Sequence, residues 1–205
     1  MRFLMNFVSA IFHPLLLATY MFLVFYKVSP EVFSPIPFQY ISTVLLAAFV
    51  ATCVIPGLSI VFLKLTSRIS NFELTNREER YFPFLSIALF YCAATYMFIT
   101  KFMFSPPLSV MMIVVSSLII LLLILTFWFK ISIHSASIWS MSGLIASYLI
   151  QSKDQEFVIV LVVSVIIAGL VGTSRLYLGR HQPSEVWIGS ILGFTYSFIL
   201  SFLFF

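Results

Sequence analysis

Seven apolar stretches, near residues 5–27, 40–64, 82–103, 107–129, 133–151, 156–173 and 185–204, run through this chain of 205 residues and carry charge only near their ends. A helix crossing the hydrocarbon core of a bilayer needs about 20 apolar residues at about 1.5 Å each, so each stretch has the length of a span. Backbone N–H and C=O groups at that depth must be satisfied within the protein, and for runs this long the helix does so. Charged residues make up 9% of the chain and hydrophobic ones 61%, against about a quarter charged in a soluble domain. The expected fold is therefore all-α. We read residues 1–205 as a single integral membrane domain, a polytopic helical bundle of six to seven spans with N-terminal helices in 1–66.

The breaks between stretches are short and carry ordinary punctuation: Pro30-Glu31 with Pro35 and Pro37, Asn71 through Arg80, Pro106-Pro107, Lys130, and Ser152 through Glu156. None has room for a soluble domain. Arg2 precedes the first run and no small-residue cleavage site follows, so that run reads as a membrane helix rather than a removed signal. Cys53 and Cys92 lie inside apolar stretches, which argues against a disulfide framework. The net charge of +4 does not point to nucleic acid, because the cations sit at segment ends without interleaved aromatics.

Three polar clusters stand out against this background: Asn71–Arg80, Lys130–Ser137 and Ser174–Glu185. Two apolar runs separate each cluster from the next, so a count of seven spans puts all three on one side of the membrane. The third cluster, Ser174-Arg175-Leu176-Tyr177-Leu178-Gly179-Arg180-His181-Gln182-Pro183-Ser184-Glu185, has the richest chemistry. Arginine suits a phosphate, histidine attacks it or carries a proton, and Glu185 stands four residues beyond His181, within reach of its imidazole on a helical face. The second cluster offers Lys130, Ser132 and His134 at the start of a helix, where backbone N–H groups favour an anion. The first offers Arg77 and Arg80, three residues apart, which serve equally well as positive-inside residues paired with Glu73, Glu78 or Glu79. His13, beside Pro14, reads as an ordinary interfacial histidine.

The third cluster resembles a motif of the type 2 phosphatidic acid phosphatase (PAP2) family, which is similar to the vanadium haloperoxidases. That motif is Ser-Arg, five residues, His, three residues, Asp. Here Ser174, Arg175 and His181 match, and Glu185 stands in place of the aspartate. The family's second motif, Pro-Ser-Gly-His, is met by Ile131-Ser132-Ile133-His134 in its serine and histidine only. Its first, Lys, six residues, Arg-Pro, is poorly met: Tyr81 follows Arg80, and Glu73 stands seven residues before it. The resemblance spans about residues 70 to 205.

The resemblance implies a PAP2-like core and a metal-independent phosphoryl transfer that needs no cofactor. His181 is the expected nucleophile, His134 the expected acid and base, and Glu185 the group that orients His181. Arg175, Lys130, Arg77, Arg80, Ser132 and Ser174 are the expected phosphate ligands. Imidazole, with an ordinary pKa of about 6.5, suits both roles at neutral pH. The implied substrate is a lipid phosphate: phosphatidate, phosphatidylglycerophosphate, an inositol lipid phosphate, or a polyprenyl phosphate or diphosphate. The alternative is a degenerate relative that binds lipid headgroups without turnover. A transporter is disfavoured by the near absence of charge within the spans. Counting cations by side places the clusters in the cytoplasm, and the chain is expected in a bacterial inner membrane.

Overall fold

The computed structural model describes residues 1–72, 74 and 78–205. The first apolar run does not form the single helix expected over 5–27. Pro14 has no N–H, its ring crowds the carbonyl four residues back, and it disfavours helical backbone at His13. The chain therefore forms α1 (Arg2–Ile11), breaks at Phe12-His13, and restarts as α2 (Pro14–Val28). Next come a 3-10 turn (Pro30–Phe33), α3 (Phe38–Phe49), a π-helical turn (Val50–Val54) and α4 (Ile55–Leu65). A second 3-10 turn (Glu78–Arg80) leads into α5 (Tyr81–Thr100), followed by α6 (Pro106–Thr126), α7 (Ile133–Ser152), α8 (Glu156–Tyr177) and α9 (Pro183–Phe204). Pro14, Pro106 and Pro183 each open a helix, where a missing N–H costs nothing.

Among the described residues, five helical segments are long and apolar enough to cross a membrane: 38–65, 78–100, 106–126, 156–177 and 183–204. The bent pair α1–α2, taken together, makes a sixth. Of the seven expected runs, α7 is the one outside this set. Its serines (135, 137, 140, 142, 147 and 152) lower its apolarity, and most of them are buried.

The chain divides into two compact units, a middle unit of Ala18–Lys130 and a C-terminal unit of Met1–Leu17 with Ile131–Phe205. In the middle unit Phe22 and Phe98 are fully buried, and Phe98 stacks on Phe104 with centroids 4.7 Å apart. The π-helical turn has a local cause. Pro56 lacks the N–H that the Thr52 carbonyl would receive in an α-helix. The Tyr91 hydroxyl supplies the missing donor at 2.8 Å. Thr95 and Ser116 join α5 to α6 through their hydroxyls, 2.7 Å apart.

In the C-terminal unit α7 packs against both α8 and α9, and α1 packs against α8. Lipid tails are as apolar as leucine, so helix association in a bilayer rests on close packing and interhelical hydrogen bonds. Here the contact is close enough to require glycine. A Cβ on Gly193 would lie 2.0 Å from the Ala136 carbonyl oxygen, one on Gly189 2.7 Å from that of Ser132, and one on Gly143 2.4 Å from that of Phe194. Paired hydroxyls complete the interface, with Ser140 and Ser197 2.6 Å apart between α7 and α9. Between α8 and α7, the Ser164 hydroxyl donates to Ser142 at 3.0 Å.

Candidate active site

The C-terminal end of α8 and the N-terminal end of α9 are joined by five residues, and their local chemistry sets the spacing of the third cluster. Gly179 takes the left-handed conformation (φ 66°), which a residue without Cβ adopts at little cost. The Gly179 N–H donates to the Leu176 carbonyl at 3.0 Å and the Arg180 N–H to the Arg175 carbonyl at 3.1 Å. This pair of bonds closes the helix and reverses the chain. Arg175 thus lies in the last turn of α8 while His181 is returned to the mouth of α9.

His181 is not on a helix, as the four-residue spacing to Glu185 suggested. It precedes Gln182, the N-cap of α9, and Glu185 is the third residue of that helix. Gln182 and Glu185 form a reciprocal capping box, in which the Glu185 carboxylate accepts the Gln182 N–H at 3.4 Å. The same carboxylate oxygen lies 2.6 Å from Nδ1 of His181. The two side chains are 4% and 15% exposed, so water competes little for that bond. A carboxylate on Nδ1 selects the tautomer whose lone pair is on Nε2. The third position of a capping box favours glutamate, whose length lets it reach back to the N-cap. That is a physical reason for Glu185 where the family pattern has aspartate.

The second cluster adjoins the third. The Ser132 N–H donates to the Glu185 carbonyl at 3.1 Å, tying the start of α7 to the first turn of α9. Ser132 is the N-cap of α7, and its hydroxyl accepts the Ser135 N–H at 3.4 Å. His134 follows in the first turn, hydrogen-bonded to the Ser9 backbone, with Arg175, His13 and His181 near enough to act on it electrostatically.

Arg175 is 8% exposed and Ser174 fully buried. The Arg175 Nη1 donates to the Ser9 hydroxyl at 2.8 Å. Its Nε and the Ser174 Oγ are buried without a hydrogen-bond partner among the described residues. A buried cation and a buried hydroxyl both cost free energy unless paired. The site is therefore a buried cation at the ends of three helices, beside a carboxylate-held imidazole.

The structure brings together Ser132, His134, Ser174, Arg175, His181 and Glu185 within the C-terminal unit. Lys130 is the last residue of the middle unit, half-buried. Arg80 also belongs to the middle unit, where it is buried and its Nε donates to the Leu74 carbonyl at 2.9 Å. It ends a 3-10 turn, and Arg77 lies outside the described residues.

Sequence reasoning missed two participants. Ser9 touches both Arg175 and His134, and the His13 ring meets the His134 ring edge-on, centroids 5.3 Å apart. Their only signal was polarity, a serine and a histidine four residues apart in an otherwise greasy first run.

A family model described as the PAP2 superfamily matches residues 125–205. The match begins well after the Asn71–Arg80 segment. No curated protein and no solved structure gives a match.

Proposed function

We propose, from the match of residues 125–205 to the PAP2 superfamily model, that this protein is a membrane phosphatase acting on a lipid phosphate through a phosphohistidine. The observation that carries the reading is Arg175. Its charge is buried, its one hydrogen-bond partner among the described residues is a neutral hydroxyl, and its Nε meets no acceptor among them. A phosphate oxygen would satisfy Nε, the Ser174 hydroxyl and the charge together.

In the proposed reaction Nε2 of His181 attacks phosphorus. As the N–P bond forms, the P–O bond to the alcohol breaks, and the leaving oxygen takes a proton from His134. Water then attacks the phosphohistidine, giving a proton to His134 as the N–P bond breaks and His181 is regenerated. Two easier displacements replace one difficult one. Arg175 stabilises charge on the phosphoryl oxygens in both. The site is built on helix termini, where a lipid headgroup meets the protein while its tail stays in the bilayer. Metal independence follows the family resemblance.

Purified protein in detergent, given a panel of lipid phosphates with EDTA present, tests this directly. Phosphate release should persist in EDTA and fall by about four orders of magnitude or more in His181→Ala. Release that is unchanged in the variant would remove His181 as nucleophile. A folded protein that binds lipid phosphates but releases nothing would favour the headgroup binder instead.

A further inference from the structure

The first helix holds only one buried residue, Ser9. Met1 just before it and Phe3, Leu4 and Phe7 on it are all more than half exposed. Beside the half-buried Met5 and Val8, the side of α1 that packs on α8 carries this hydroxyl and, just past the helix end, an imidazole. From this, and on the premise that the site binds phosphate, we propose that Ser9 and His13 are positioning residues of the active site. Ser9 aims Arg175, and His13 holds the plane of His134.

The guanidinium is a rigid planar fork. Fixing Nη1 on the Ser9 hydroxyl at 2.8 Å therefore fixes the direction of the Nε–H as well. The choice of a hydroxyl has a chemical consequence. A carboxylate at position 9 would hold the arginine at least as firmly, but it would neutralise the charge a phosphate needs. Serine orients the cation and leaves it a cation. Its backbone is also hydrogen-bonded to His134, so one residue of α1 sets the spacing between the anion-binding group and the proposed acid.

His13 acts on the other side of His134. Its Nδ1 accepts the Leu15 N–H at 3.4 Å, which ties the ring to the first turn of α2. Its ring then stands at 88° to that of His134, with centroids 5.3 Å apart. Such an edge-to-face contact restrains the neighbouring ring's tilt. Neither Ser9 nor His13 lies in the span that the PAP2 model matches, and Ser9 is 166 residues from Arg175 in sequence.

The test uses the full chain in detergent, with orthovanadate as the phosphate mimic and para-nitrophenyl phosphate as the substrate. Ser9→Ala should weaken orthovanadate about tenfold, a change of roughly one hydrogen bond, and Ser9→Thr should recover most of it. Ser9→Asp should fold, since it pairs with Arg175, yet weaken orthovanadate by about a hundredfold or more, roughly two hydrogen bonds to a charged group. His13→Ala should lower kcat with KM held, and His13→Phe, which keeps a ring, should recover most of it. Wild-type affinity in Ser9→Asp would overturn the role of Ser9, and wild-type kcat in His13→Ala that of His13. A folded wild-type protein that neither binds orthovanadate nor releases phosphate would defeat the phosphate site itself, and this inference with it.

Discussion

The two units place hydroxyls and aromatic rings in apolar surroundings and treat them differently. In the middle unit each such group named above closes on another. Tyr91 answers the carbonyl that Pro56 leaves open, and Thr95 pairs with Ser116. In the C-terminal unit the serines between helices also pair, Ser140 with Ser197 and Ser164 with Ser142. At the end of α8 the pattern stops, and Ser174 Oγ and Arg175 Nε are buried without partners among the described residues. A polar group left open where its neighbours are closed marks where a ligand belongs, because a chain that satisfies the one kind had the means to satisfy the other.

The contrast is broken most directly at Arg175. Arg175→Ala should lower kcat/KM for phosphate release by about a hundred- to a thousandfold, the usual cost of removing a donor that stabilises transition-state charge. Activity that survives the change would make the open Nε a structural accident. Glu185→Asp comes next. The shorter side chain cannot serve both His181 Nδ1 and the Gln182 N–H, so kcat should fall about tenfold even though aspartate is the family's residue. A rise in kcat would mean that the glutamate is a defect rather than a fit. In Gly193→Ala the added Cβ would meet the Ala136 carbonyl oxygen at 2.0 Å, and the fold should lose about 1–3 kcal/mol or more in thermal unfolding in detergent. Smallest is Tyr91→Phe, which strips the Thr52 carbonyl of its donor. It should cost about 1–2 kcal/mol of stability and leave turnover unchanged. Lost turnover at full stability would show that the closed network of the middle unit also serves the chemistry.

What was readable in the chain follows the range of the interaction. His181 and Glu185 are four residues apart, and Gly179 and Pro183 are local signals for a helix end and a helix start, so the pair could be named from spacing. The nature of the pairing could not, since a four-residue interval suits a helical face as well as a capped turn. The break at Phe12-His13 was legible in Pro14, but the length of the apolar run outweighed it. Arg77 and Arg80 look alike on paper. The structure gives Arg80 a carbonyl to hold within its own unit, and Arg77 lies outside the described residues.

Composition and the length of the apolar runs determined that this is an all-helical membrane protein, because backbone polar groups in hydrocarbon must be satisfied within the protein and runs of about 20 residues do so as helices. Local order of residues determined that an arginine, a histidine and a carboxylate meet where two helices join, because the connecting turn is only five residues long. The tertiary structure decided that α1 takes part. A contact spanning 166 residues depends on how α1 packs against α8, which no local pattern near Ser9 announces. It also decided which hydroxyls are closed and which stay open, since satisfaction is a property of a neighbourhood and not of a residue.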